Sequence, residues 1–184
     1  MRITGGQARG IPLTSPPGGD VRPATDRMRE AVFSSLGSRV DDASFIDWFA
    51  GTGAYGLEAI SRGARSGAFV EHNGRVAAVL RANLAAVCQS LGLAAPPATV
   101  SVTDVFSWQP AAPADLIFAD PPYALAGARA SAIFTHAATA LAADGRLIFE
   151  LPGELAIEPP GWTLLRRLGG KGRGQPAVAI YAKA

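Results

Sequence analysis

The segment Ala114-Asp115-Leu116-Ile117-Phe118-Ala119-Asp120-Pro121-Pro122-Tyr123 constrains this chain more than any other. Leu116 to Ala119 is an apolar run without alternation, the pattern of a strand buried on both faces of a parallel sheet. It stops at a carboxylate, two prolines and an aromatic ring. Neither proline can donate to a ladder, and Pro122 disfavours helix at Pro121, so the strand ends there. Asp120 is thereby expected at the carboxyl end of a central strand, where open α/β sheets keep their ligands. The prolines stiffen the loop, and Tyr123 adds a flat face to it. A fixed acceptor beside a stacking ring suits chemistry on a planar, amine-bearing group.

A second strand–loop–helix unit lies upstream. Ser44-Phe45-Ile46-Asp47-Trp48-Phe49 reads as the first core strand, running through Ala50-Gly51-Thr52-Gly53-Ala54-Tyr55-Gly56 into a helix over 55–62. Gly51 and Gly53 let the backbone turn tightly and approach a ligand. With Gly56 they fit G-x-G-x-x-G, the fingerprint of dinucleotide sites. Asp47 opposes that reading. A carboxylate four residues before the first glycine would repel a pyrophosphate, yet it can accept hydrogen bonds from an ammonium group.

The remaining strands follow the same plan. Ser66 to Glu71 ends in an acid 20 residues after Gly51, placed to accept ribose hydroxyls. Thr99 to Thr103 ends at Asp104. A helix over 73–91 carries Val76, Val79, Leu80, Ala82, Leu84, Val87 and Leu91, and Leu125 to Ala143 reads as one alanine-rich helix. Asp144 to Leu151 is a turn and strand, and 162–168 with 177–181 form a closing pair joined by the basic segment 169–174. Before all of this, Arg2-Ile3-Thr4 and Gly10 to Leu13 suggest a small hairpin, with Pro12 confining its strand to an edge. A helix follows Thr25, its expected N-cap; Met28, Ala31, Val32 and Leu36 make its apolar stripe and Gly37 stops it. Arg22, Arg27 and Arg29 lie off that stripe and are expected to be free for phosphate.

Charge is segregated along the 184 residues. Residues 1–40 carry +3, 41–160 carry −6, and 161–184 carry +5. Basic ends around an acidic middle suit a polyanionic partner that meets the termini while the body binds something else. Cys88 is the only cysteine, which excludes an internal disulfide and a multi-cysteine zinc site; it reads as a small apolar helix residue. No histidine stands at metal-ligand spacing from a second ligand, so no metal is expected, and His136 reads as structural. The start of the chain has no signal-peptide core and no run approaches a membrane span, so a cytoplasmic location is expected.

Two stretches carry a resemblance. Asp120-Pro121-Pro122-Tyr123 resembles motif IV, and Asp47-x-Phe49-x-Gly51-x-Gly53 motif I, of class I S-adenosylmethionine-dependent methyltransferases acting on exocyclic or amide nitrogen. Arg2-Ile3-Thr4-Gly5-Gly6 with Arg9-Gly10, then Arg22-Pro23-Ala24-Thr25-Asp26-Arg27-Met28-Arg29-Glu30-Ala31-Val32-Phe33, is similar to the N-terminal region of the RsmD family, bacterial enzymes that methylate guanine N2 in 16S ribosomal RNA.

The resemblance implies a Rossmann-like α/β fold, a seven-stranded, mostly parallel sheet with its last strand antiparallel. It implies an RNA-contacting extension over 1–40 and a methyltransferase domain over 41–184. S-adenosylmethionine would be bound by Asp47, Phe49, Ala50, Gly51, Gly53, Glu71, His72, Asp104, Val105 and Asp120, with Phe106 walling the adenine. Asp120, Pro121, Pro122 and Tyr123 would carry the reaction. Arg2, Arg9, Arg22, Arg27, Arg29, Lys171 and Arg173 would grip 16S ribosomal RNA, in an assembled or assembling subunit, and a monomer is expected. Trp48 and Tyr55 depart from the family's usual residues beside motif I and are expected to tune cofactor affinity. The same tetrapeptide serves DNA adenine-N6 methylation, and a non-catalytic RNA-binding assembly factor would share the basic termini; both alternatives stand at this point.

Overall fold

A computed structural model describes residues 1–16 and 26–184. Five strands run parallel: β1 (Ser44–Trp48), β2 (Ser66–Glu71), β3 (Ala98–Val102), β4 (Ala114–Ala119) and β5 (Leu141–Pro152). A closing pair, β6 (Trp162–Gly169) and β7 (Pro176–Lys183), completes one sheet ordered β3-β2-β1-β4-β5-β7-β6. The final strand, β7, is antiparallel to both its neighbours. This is the Rossmann-like class I arrangement expected from the strand–helix alternation.

The central strands are apolar at successive positions because helices cover both faces. Phe45, Phe69, Leu116, Phe118, Ile148, Val178 and Ile180 point to one face. They pack beneath α1 (Asp26–Leu36), α2 (Ala54–Ser61) and α3 (Gly74–Ser90), through Val32, Phe33, Leu57, Leu80, Leu84 and Val87. The intervening Ile46, Trp48, Ile117, Ala119, Leu147, Phe149 and Tyr181 point to the other. There they meet α5 (Ala130–Ala140) through Ile133, Phe134 and Ala137. The first face is rich in rings: Tyr55 stacks on Phe118 at 5.4 Å, and Phe45 meets Phe69 edge-on at 5.4 Å.

Several boundaries differ from the sequence expectation. The alanine-rich stretch is two helices, α4 (Tyr123–Ala128) and α5, divided at Arg129 (φ −116°, ψ 12°). An alanine-rich sequence does not mark where a helix breaks, and the glycine at 127 weakens this one locally. On α3 the buried face is Ala77, Leu80, Asn83, Leu84, Val87 and Cys88, so Ala82 is exposed and polar Asn83 is inside. On α1 the buried face is Arg29, Val32, Phe33 and Leu36. The expected N-cap Thr25 and Arg22 lie outside the described residues.

The hairpin at the start is present as an antiparallel bridge between Arg2 and Pro12, with Ile3 N–H donating to Ile11 O at 2.9 Å. It does not stand apart. Ile3, Ala8 and Leu13 are buried in the core of the first face, and the backbone is tied to α2 by buried side chains. Thr4 N–H and Oγ1 both donate to the Glu58 carboxylate at 2.8 Å, and Ala8 N–H donates to Ser61 Oγ at 2.9 Å.

Gly56 shows what the third glycine of the loop does. A Cβ there would lie 2.6 Å from Phe45 Cε2 and closer still to the Phe69 ring. Both rings are locked in the core, so Gly56→Ala is expected to cost about 1–3 kcal/mol through overpacking. Denaturant unfolding of the two proteins, compared at constant m-value, measures this.

Candidate active site

All five parallel strands deliver an acid to the same edge of the sheet: Asp47 from β1, Glu71 from β2, Asp104 just past β3, Asp120 just past β4 and Glu150 from β5. Together they line one cavity of about 780 Å³. Its other walls include Phe49, Ala50, Gly51, Thr52, Tyr55, His72, Val105, Phe106, Pro121, Pro122, Tyr123 and, the one guanidinium among the described residues, Arg129.

The glycine loop is built from the edge inward. Phe49 has φ +56°, a conformation that a bulky residue rarely holds, and Gly51 follows at φ +54°. The Gly51 amide donates to Glu71 Oε2 at 2.9 Å, so the carboxylate that ends β2 also pins the loop after β1. The other Glu71 oxygen accepts from Asn73 N–H at 2.8 Å and lies 3.2 Å from His72 Nδ1. Asp47 Oδ2 accepts from Gly56 N–H at 2.9 Å, inside the first turn of α2. A carboxylate has room for about four acceptor contacts, so neither acid is exhausted by these. Asp104 Oδ1 takes Phe106 N–H at 2.7 Å, which turns Phe106 toward the cavity and edge-on to Phe49 at 6.4 Å. The Arg129 guanidinium lies 4.2 Å over the Phe106 ring.

At the far end Asp120 is half-buried, and its amide still donates to Trp48 O at 3.4 Å, extending the β1–β4 ladder by one residue. Pro121 is buried and Tyr123 half-buried at the start of α4. Tyr55 donates its phenol hydrogen to Glu150 Oε2 at 3.1 Å.

Crowding acids at one buried sheet edge has electrostatic consequences. Burial, with Glu71 nearby, raises Asp47 to about 8. Burial, then the charges of Glu150 and Asp47, hold Asp120 well above the usual carboxylate range. Burial lifts Glu150 to about 7, while the Tyr55 hydrogen bond and the Arg29 charge pull the other way. Burial and the Glu150 and Asp120 charges push the Tyr55 phenol well up, so it remains a donor.

The cavity therefore brings together every expected cofactor residue except Gly53. That glycine (φ +87°) sits under the loop, where a Cβ would press on Leu57 and Leu80 at 3.1 Å; it shapes the turn rather than the wall. Trp48 is also absent from the cavity. As the next residue after Asp47 it points to the opposite face, where it stacks on His136 at 4.8 Å, so it does not tune the cofactor pocket.

Among the cations, Arg2, Arg9, Arg27, Lys171 and Arg173 are exposed. Arg29 is not. It occupies the buried stripe of α1, donates to Arg2 O at 2.5 Å and Asp26 Oδ1 at 2.8 Å, and faces Glu58 at 3.9 Å, so it is structural and not free for phosphate. The residue types at 29, 32, 33 and 36 follow the i, i+3, i+4, i+7 spacing, but a guanidinium on that face disguised it. Glu150 was equally hidden. A lone acid in the run Leu147-Ile148-Phe149-Glu150-Leu151 is a strand-end signal like Asp47, but no glycine loop follows to mark it, and unlike Asp120 it has no proline stop.

Among the described residues, five carboxyls against one guanidinium suit a ligand with a cationic end and hydroxyl and amine donors, not a pyrophosphate. S-adenosylmethionine has that chemistry, with an ammonium, ribose hydroxyls and an adenine amine. Fold and pocket together define a class I, S-adenosylmethionine-dependent methyltransferase. The chain belongs to the family described as conserved hypothetical protein 95, the RsmD family, whose model matches residues 1–182. It is 36% identical over 188 aligned positions to ribosomal RNA small subunit methyltransferase D of Escherichia coli K12, covering all of this chain and 90% of that protein. It is similar to the solved structure of Escherichia coli yhhF, at 34% identity and a TM-score of 0.80, covering all of this chain and 97% of the other. A Thermus thermophilus protein of solved structure is 30% identical, with a TM-score of 0.77, over all of this chain and 99% of its own.

A carboxyl whose folded value is raised favours the native state at low pH and ceases to do so as pH climbs through that value. For Asp47 the window runs from 3.8 to about 8. The ligand-free protein is therefore expected to lose thermal stability across that range, and Asp47→Asn to flatten part of the decline. Melting temperatures measured at a series of pH values check the sign.

Proposed function

We propose that this chain transfers a methyl group from S-adenosylmethionine to the exocyclic N2 amine of a guanine in small-subunit (16S) ribosomal RNA, working in the cytoplasm as a monomer on an assembled or assembling subunit. The observation that carries this reading is the juxtaposition of Asp120-Pro121-Pro122-Tyr123 with the acid-lined cavity. The full-length similarity to a ribosomal RNA small subunit methyltransferase supports the target.

Guanine N2 is a poor nucleophile because its lone pair is delocalised into the ring. The Asp120 carboxylate and the Pro121 carbonyl would accept its two N–H hydrogens and fix the direction of the lone pair. S-adenosylmethionine, held by Asp47, Phe49, Ala50, Gly51, Glu71, His72, Asp104 and Val105, supplies an electrophilic methyl carbon on a sulfonium. Fixing the nucleophile in line is worth up to ~7–11 kcal/mol of barrier. Tyr123 would stack on the extruded base, contributing roughly 1–3 kcal/mol. Pro122, exposed just before α4, keeps the loop from rearranging around it.

Residues 1–40 would form the RNA-contacting extension of a methyltransferase domain over 41–184. Arg2, Arg9 and Arg27 from the extension, with Lys171 and Arg173 from the β6–β7 connection, are the exposed cations proposed to meet phosphate. Arg22 belongs to the same proposal on sequence alone.

Labelled methyl transfer to unmodified small subunits and to naked ribosomal RNA, followed by mapping of the product base, tests the target; label on any base other than guanine overturns it. Asp120→Ala is expected to lower transfer by at least about 100-fold while calorimetry still detects S-adenosylhomocysteine binding. Replacing Arg27 and Arg173 by Ala should weaken RNA binding and reduce the slope of log affinity against log salt by roughly 0.7–0.9 per lost phosphate contact. Binding isotherms across a salt series read that slope directly.

A further inference from the structure

Glu150 has no part in the reading above, yet it stands beside the residue on which that reading turns. Ala119 and Phe149 are register partners in the parallel β4–β5 ladder. Asp120 and Glu150 follow them, on neighbouring strands whose backbones run about 5 Å apart, with their side chains on the same face. Both line the cavity. Glu150 is only 4% exposed, and Tyr55, equally buried on α2, donates to its Oε2 at 3.1 Å. Charged and titratable groups face the pair from three other elements: Tyr55 from α2, Arg29 from α1 and Asp47 from β1. Across the other edge of β5 the register partner of Glu150 is apolar Val178. A buried carboxylate is costly where an apolar side chain would pack, so position 150 needs a use for its charge.

We propose that Asp120 and Glu150 act as a pair holding one proton between them, with Glu150 oriented by the Tyr55 phenol, and that this pair takes up the proton released by the target amine. The inference rests on the methyl-transfer reading. One N–C bond forms, one C–S bond breaks and its electrons stay on sulfur, which leaves the nitrogen with one proton too many. The N–H electrons return to nitrogen as that proton passes to the pair. The pair then holds two protons and is uncharged, and it returns one to water at the cavity mouth. Two carboxyls so close cannot both ionise readily, which is why one proton stays between them. The raised values of both groups agree with this arrangement. Asp120 is the catalytic member and Glu150 a positioning residue acting through it.

The test combines carboxyl-carbon NMR titration of the ligand-free protein with pH–rate profiles of methyl transfer, on wild type, Glu150→Gln and Tyr55→Phe. The wild type should titrate in two coupled steps, and transfer should rise with pH as the first proton leaves the pair. In Glu150→Gln, Asp120 loses a like-charged neighbour. The repelled second step goes with that neighbour: Asp120 should titrate in one step lying between the two of the wild type, the acid limb should move up because no shared proton stabilises the singly ionised form, and transfer should fall about 10- to 100-fold. In Tyr55→Phe the limb should move up, because the lost hydrogen bond favoured the ionised form. Calorimetry should still detect S-adenosylhomocysteine binding in both. An Asp120 titration unaltered by Glu150→Gln, or an acid limb that neither variant moves, overturns the pair. If Glu150→Gln does not fold, Tyr55→Phe decides alone by the direction of its limb. If the wild type labels no guanine, the target reading falls, and the carboxyl titration still decides whether the proton is shared.

Discussion

Everything in this molecule depends on five parallel strands ending in acids along a single edge. A parallel sheet buried on both faces has no other place to put charge: its interior positions must be apolar, and its side chains become free for chemistry only where the ladder stops. Asp47, Glu71, Asp104, Asp120 and Glu150 are the five terminations. Each is anchored differently, two by backbone amides of the glycine loop and its helix, one by a tight turn, one by a proline-stiffened loop and one by a phenol. A cationic ligand end favours the ionised form of these carboxyls and a pyrophosphate opposes it, so charge rather than shape discriminates against dinucleotide chemistry.

Much of this was legible in the residues. The order of elements followed from apolar runs alternating with periodic helices. Glu71, Asp104 and Asp120 are legible because each sits where a run visibly stops, and Asp47 because it stands four residues before Gly51. Glu150 escaped because β5 continues as an apolar strand past it into its antiparallel partner, so no break marks the functional position. The division of α4 from α5 left no trace in an alanine-rich stretch. Arg29 was misjudged for a different reason. Sequence periodicity assigns faces by polarity, and a guanidinium satisfied by Arg2 O, Asp26 and Glu58 can occupy a core position that polarity alone denies it.

The alternation of side chains along the strands also separates two tasks. The face under α1, α2 and α3 carries Asp47, Asp120 and Glu150 two residues beyond Phe45, Phe118 and Ile148 respectively, so these carboxyls stand on a packed apolar floor. The opposite face carries Trp48, Phe149 and Tyr181 against α5 and has no wall of the cavity among its strand residues. Substitutions on the two faces should consequently differ in kind, one set disturbing positioning and the other only packing.

The Asn83 side chain ties these parts together. Its Nδ2 donates to Thr14 O and Thr52 O, both at 3.0 Å, and its Oδ1 accepts from Thr14 N–H at 2.9 Å. One amide thus clasps the segment after the opening hairpin and the loop that walls the cofactor cavity. With Glu58 and Ser61 also satisfied by that hairpin, the first fourteen residues are a keystone and not an appendage. A fragment begun at β1 would keep the Glu58–Arg62 pair and the Asn83–Thr52 bond but lose the Thr4, Ala8 and Thr14 partners and bare the core that Ile3, Ala8 and Leu13 fill, so the sheet could not be expected to stand without its opening strand.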